Sequence, residues 1–239
     1  MKKSTAIIFL VLALGLVVLG ILYGLAMGWD YSPANSYQTL LGVNASRVKE
    51  IRSDTGDFDL RIYDAWDDKL EVDGSGLAAT RLSVTLSDGI LTITAQELSP
   101  LARTFRRDGH DDYAVVWLPG EFSGTVTAVS TSGDLTLSGF VSPGSAAGLT
   151  TDSGDVSVYS SGLASVRLTS ASGEVNIYDS AVGALEITTG SGDIWLNELK
   201  VGSADIVSDS GDIFGGLTAS GGEDAVRVYS ATGYVSTLR

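Results

Sequence analysis

The chain has no cysteine among its 239 residues and a single histidine, His110. The first absence excludes disulfides, thiol catalysis and cysteine metal sites, though it does not by itself fix a compartment. It also leaves no attachment point for a lipoprotein lipid. With one histidine there is little room for a Ser–His–Asp arrangement. No GxSxG elbow is present, so an α/β-hydrolase nucleophile has no support. A phosphate-binding P-loop and a dinucleotide fingerprint are missing too. Basic residues are few: 15 Lys and Arg against 29 Asp and Glu, a formal charge of −14. Such a surface repels nucleic acid and anionic headgroups and attracts cations and basic partners. Helical periodicity is scarce after residue 45.

What the chain has in quantity is glycine, 29 residues, much of it in one motif. Seven times a Ser/Thr–x–Ser/Thr–Gly tetrad is written, ending at Gly56, Gly133, Gly154, Gly173, Gly192, Gly211 and Gly233. From Gly133 the steps are 21, 19, 19, 19 and 22 residues, an internal repeat that speaks for stacked supersecondary units. An acid follows six of the glycines: Asp57, Asp134, Asp155, Glu174, Asp193 and Asp212, with Tyr234 at the seventh. Gly, Ser and Asp in one short window are turn chemistry, with glycine accepting positive φ and the acid closing its own turn. Apolar residues stand five before the glycine (Ile51, Ala128, Leu149, Leu168, Ile187, Ile206, Val228). Others stand two after it (Phe58, Leu135, Val156, Val175, Ile194, Ile213, Val235). With polar residues between, this is the period-two pattern of half-buried strands on both sides of a turn. A unit of about 19 residues cannot bury its own core. Constant step length favours a parallel β-solenoid, with coils about 4.8 Å apart. An antiparallel barrel or sandwich is the alternative.

Residues 1–5 precede an uncharged run, Ala6 to Met27, of 22 residues. At about 1.5 Å per residue it is long enough for a hydrocarbon core of about 30 Å. Residues 6–28 are therefore expected to form a transmembrane signal anchor in contact with the lipid bilayer. Lys2 and Lys3 place its N-terminus in the cytoplasm and the rest outside; cleavage near Gly28 is the other reading. Beyond the anchor the formal charge is −16. Gly20, Gly24 and Gly28 give two GxxxG spacings suited to close helix packing. Residues 29–46 read as a stem and 47–239 as the repeat ectodomain. Asn44-Ala45-Ser46 is a glycosylation sequon on the outer side.

Between Gly56 and Gly133 the beat is lost. Strands are expected at Lys69 to Val72, Arg81 to Leu86, Ile90 to Thr94 and Tyr113 to Leu118, with a hairpin turn at Ser87-Asp88-Gly89. Residues 99–112 break the pattern. They hold Arg103, Arg106, Arg107, Asp108, His110, Asp111 and Asp112. This is an anion grip or metal site on one reading and a solvated loop on the other; a contiguous run cannot easily converge on one ion.

Two further candidates follow from stacking. Asp134, Asp155, Glu174, Asp193 and Asp212 would form a ladder, with Asp152 and Asp209 beside it, and hard cations want several such oxygens. Trp195 and Phe214 share one column, Tyr159 and Tyr178 another; they either bind a glycan or protein or stabilise neighbouring strands.

The run from Tyr113 through Trp117-Leu118-Pro119-Gly120, then Val126, Val129 and Gly133-Asp134-Leu135, followed by repeated Ser-Gly-Asp-Val/Ile strands, resembles the "putative adhesin" β-strand-repeat family. That family is a prokaryotic domain of unknown function, and the likeness covers about residues 47–239. It implies an all-β, right-handed solenoid-like repeat domain. Members are often attached to the cell envelope, some of them in envelope-stress systems. It carries no catalytic residues, cofactor or metal over to this chain. The single anchor and the acidity depart from it. The expected role is therefore non-enzymatic: surface binding or adhesion, or envelope structure, with a cell-surface protein or glycan as partner. The alternative is envelope-stress sensing through a partner.

Overall fold

Alternating apolar residues separated by fixed steps force the chain to wind, because each strand has an apolar side and no partner within its own unit. In a computed structural model the winding is explicit. The structure describes residues 37–76, 78–96, 112–222 and 225–236, all within one unit running over Ser36–Gln96 and Asp111–Arg239. The expected anchor at 6–28 and the candidate residues Arg103 to Asp111 lie outside the described residues. No described helix is long and apolar enough to cross a membrane.

The fold is an all-β parallel solenoid. Each coil places one strand in a first sheet, turns at the tetrad, and places a second strand in a second sheet. Strands β8 (Thr125–Ser130) and β9 (Leu135–Ser138) make one such coil. The next coil is the C-terminal part of β10 (Val141–Thr151) with β11 (Val156–Tyr159), and β12 (Gly162–Ser170) with β13 (Val175–Tyr178) follow. Each strand pairs in parallel with its equivalent in the next coil. The winding continues through β14 (Ala181–Thr189), β15 (Ile194–Ser208), β16 (Ile213–Ala219) and β17 (Val226–Ser230). The connector after the second strand also pairs. Val141–Ser142 lies beside Gly162–Leu163, and those beside Ala181–Val182 and then Lys200–Val201. The coil therefore has three runs.

Inside, like sits on like. Ala128, Leu149, Leu168, Ile187, Ile206 and Val228 form one column, and Leu135, Val156, Val175, Ile194 and Ile213 another. All but Val228, in the last coil, are buried. A side chain of this size is worth about 1.5–3 kcal/mol when fully buried.

The N-terminal half departs from chain order. Strands β2 (Glu50–Asp54) and β3 (Asp59–Asp64) lie in the middle of the stack. On one side they pair with β6 (Ile90–Ala95) and β7 (Tyr113–Leu118), on the other with β8 and β9, all in parallel. The lost beat is thus a coil added on the far side before the chain returns. That end is closed by antiparallel strands. β5 (Leu82–Ser87) pairs with β6 through the Asp88-Gly89 turn, where φ is +53 and +82°. β4 (Lys69–Ser75) pairs with β7, and β1 (Tyr37–Asn44) with β4. Strand β1 falls where the sequence reads as stem, because its pattern is seen only against β4.

The tetrad glycines are not in the left-handed region. Of the seven, only Gly56 has positive φ, +58°. The others are glycine for lack of space. A Cβ on Gly154, Gly173, Gly192, Gly211 or Gly233 would fall on the carbonyl of the preceding coil's glycine, and one on Gly133 on the carbonyl of Phe58. Positive φ instead occurs six residues later, at the second corner: Gly139 (+73°), Ser160 (+46°), Asp179 (+46°) and Glu198 (+50°).

The two corners should respond oppositely to substitution. Gly173→Ala must push two coils apart and is expected to destabilise by about 3 kcal/mol. Asp179→Gly relieves a left-handed residue but loosens the unfolded chain, and should stay within about 1 kcal/mol of the parent. Thermal or denaturant unfolding of both variants measures the contrast.

Candidate functional site

The first corner carries three ladders of hydrogen bonds. The hydroxyl three before the glycine is buried and accepts the glycine N–H: Thr151 from Gly154 at 3.0 Å, Ser170 from Gly173 at 2.8 Å, Ser208 from Gly211 at 2.8 Å. The hydroxyl one before the glycine donates to a carbonyl of the preceding coil: Ser153 to Thr131, Ser172 to Asp152, Ser210 to Gly190. The acid after the glycine also reaches across coils. Asp134 Oδ1 accepts the N–H of Asp155 at 2.8 Å, Asp155 that of Glu174 at 2.8 Å, Asp193 that of Asp212 at 2.8 Å, and Asp212 that of Tyr234 at 2.7 Å. The sequence reading had each acid closing its own turn; the acid instead clamps the next coil. Each bonded acid thereby commits one oxygen to a backbone N–H. Among the described residues no three His, Asp or Glu side chains are grouped to hold a metal ion.

Glu174 is the exception within the ladder: it has no bond to the N–H of Asp193. Its side chain is one methylene longer than the Asp at the other rungs. The first copy is also displaced. Leu60, not Phe58, lies opposite Leu135, and Ser53, not Ile51, lies opposite Ala128. The corner is as long as the others, but its tetrad sits two residues earlier, so that Phe58 stands where Gly133 stands in the next coil. The ladder acid there is Asp59, which accepts the N–H of Asp134 at 3.0 Å, while Asp57 takes the Ser132 hydroxyl at 3.0 Å. The shifted corner does not repeat the hydroxyl–glycine bond, and among the described residues the buried Ser53 and Thr55 hydroxyls have no partner.

The aromatic columns are intact. Tyr159 and Tyr178 stack with centroids 5.5 Å apart and planes 8° apart, and Trp195 and Phe214 at 4.3 Å and 23°. A stack running along the coil axis turns its ring faces on one another and its edges outward. That geometry strengthens strand pairing and leaves little open face for a sugar. At the N-terminal end Trp117 Nε1 donates to buried Asp73 at 2.8 Å and the ring packs on Tyr63. Asp112, the one described member of the Arg-rich segment, is buried.

A feature missed in the sequence lies on the first sheet. Eight residues before successive glycines stand Ala146, Ser165, Ala184 and Ser203, which are neighbours in register. This column of small side chains leaves a groove of about 570 Å³. Its wall is the next outward column, Arg167, Glu186 and Asp205, which Arg227 continues beyond the groove. There Arg167 pairs with Glu186 at 2.6 Å and Arg227 with Asp205 at 3.5 Å. Small residues at 19-residue spacing were the available signal, hidden because small residues also fill turns.

Asp134 is held above the ordinary carboxylate range, first by loss of water and then by the charges of Asp59 and Asp155, against the bond from the Asp155 N–H. A raised carboxylate favours the folded state when protonated. Its contribution is full below the unfolded value and is lost as pH rises through the folded one. Asp134→Asn should therefore flatten this part of the melting-temperature profile through the carboxylate range. Glu174→Asp, which restores a clamp, should stabilise by about 1 kcal/mol. Calorimetry from pH 3 to 7 follows both.

Among known proteins, no curated protein matches the chain. Solved structures do. One is a putative cell adhesion protein from Clostridium sporogenes, with 9% identity, a TM-score of 0.42, and 77% of this chain and 100% of that one covered. Another is a putative adhesin from Bacteroides fragilis, with 16% identity, a TM-score of 0.46, and 84% and 95% covered. A third is a putative lipid binding protein from Parabacteroides distasonis, with 13% identity, a TM-score of 0.35, and 84% and 97% covered. The family model named Toastrack DUF4097 matches residues 48–236, which takes in the coils from β2 to the last bridge at Val235; the chain belongs to the Toastrack DUF4097 family.

Proposed function

We propose that the protein is a non-enzymatic binding module of the cell envelope, held at the outer face of a membrane by residues 6–28. Its solenoid presents the first-sheet groove to an extended, hydroxyl-rich polymer such as a surface glycan. The groove is the observation that carries this reading. Its floor of Ala and Ser lets a polymer approach the sheet closely. Its wall offers carboxylates and guanidinium groups of both signs, which suits neutral hydroxyls better than a polyanion. The stacked aromatics and the acid ladder are already occupied with neighbouring coils. Multiple shallow contacts repeated at about 4.8 Å suit a repeating ligand.

Full-length protein in detergent, incubated with cell-envelope fractions and purified surface glycans, tests this. Binding to a glycan fraction is expected. Ala184→Trp, which fills the groove, should weaken it at least tenfold while leaving the melting temperature within a few degrees. Unchanged binding by the Ala184→Trp protein would remove the groove from the account, and failure to bind any envelope fraction would remove the function. Capture of one membrane protein instead of a glycan would favour the regulatory alternative.

A further inference from the structure

The sequon at Asn44 sits where strand β1 ends and a short 3-10 turn, Ala45–Arg47, begins. Asn44 is exposed. Its Oδ1 accepts two hydrogen bonds from Ser46, one from the backbone N–H at 2.9 Å and one from the hydroxyl at 2.6 Å. A backbone N–H can only donate, so the oxygen is fixed on that side and the amide nitrogen, Nδ2, points away from the turn. Among the described residues Nδ2 has no partner. This is the only Asn-x-Ser/Thr triplet in the chain, and its middle residue, Ala45, is small and buried.

These observations bear on reactivity. A carboxamide nitrogen is a poor nucleophile because its lone pair is delocalised into the carbonyl. Two donors on the carbonyl oxygen draw density from the amide and make its N–H easier to remove. The triplet thus brings together an accessible nitrogen, a polarised carbonyl and the hydroxyl two residues on that the sequon requires.

We infer that Asn44 is an N-glycosylation site. The co-reactant is a lipid-linked oligosaccharide diphosphate. Nδ2 forms a bond to the anomeric carbon, the bond from that carbon to the diphosphate oxygen breaks, the lipid diphosphate leaves with the bonding pair, and the nitrogen loses one proton. The inference rests on the extracytoplasmic placement proposed above. The position has a structural consequence. Among the described residues β1 pairs on one side only, with β4, and Asn44 lies opposite Lys69 at its end. A glycan there would cover the free edge of β1, which otherwise presents unpaired backbone groups to other chains.

Mass spectrometry of the full chain from membranes of its native host tests the inference. The expected result is a mass increment of one or more sugars on the peptide containing Asn44. It should be lost in Asn44→Gln and in Ser46→Ala and kept in Ser46→Thr. A companion chain carrying Glu121→Asn acquires a second triplet at an exposed position ahead of Phe122 and Ser123. If that triplet is modified and Asn44 is not, the Asn44 site is overturned while the outer placement stands. If neither is modified, the site is overturned and the outer placement loses its support as well.

Discussion

Everything in this solenoid depends on how closely one coil approaches the next at the first corner. There, from Gly154 to Gly233, the backbone of each tetrad glycine lies against the carbonyl of the one before it, with no room for a Cβ between them, and Gly133 lies likewise against Phe58. That approach allows the acid of one coil to reach the N–H of the next, and the serine beside the glycine to reach the preceding carbonyl. It also keeps the apolar columns in register. A one-residue slip in either sheet would turn an inward Leu or Ile to water and bring a polar neighbour into the core.

The acid ladder shows which of two opposed effects prevails. Carboxylates on successive coils repel, by about 1 kcal/mol per pair at close range in water. A hydrogen bond from a backbone N–H to a charged acceptor contributes about 1.5–3 kcal/mol. The clamp exceeds the repulsion at most rungs. Asp134, between Asp59 and Asp155, is displaced upward, first because burial takes its carboxyl out of water and then because of the two neighbouring charges. Asp57, Asp59, Asp134, Asp155, Asp193 and Asp212 are therefore structural acids, built into the corners.

The architecture was legible because stacking imposes equal step length, and Leu168, Ile187 and Ile206 recur at one spacing. The reason for the glycines was not. A glycine needed for positive φ and one needed for close approach look alike in sequence; only the position of the preceding coil's carbonyl separates them. The true left-handed corner escaped notice since Ser160, Asp179 and Glu198 share no residue type. The Gly56 copy misled for a related reason: its tetrad is well formed, yet it lies two positions out of register with the other corners, and Asp59 takes the role that spacing gave to Asp57. The small-residue groove was hidden because Ala and Ser at a strand start carry no distinctive chemistry. Strand β1 could not be read alone, as its pairing with β4 joins segments about 30 residues apart.

The placement of β2 and β3 inside the stack divides the molecule by sequence separation. From Gly154 onward, corner bonds between coils join residues about 19 to 23 apart, as in Glu174 to Asp155. The bonds that seat β8 and β9 on the first coil span 74 and 75 residues, from Ser130 to Gly56 and from Ser132 to Asp57. Loop-closure entropy falls mainly on the second set. The C-terminal coils can zip in order, each using the one before as template. The first coil has no finished face until distant strands arrive on both its sides, so the N-terminal third sets the pace of folding and the rest follows it.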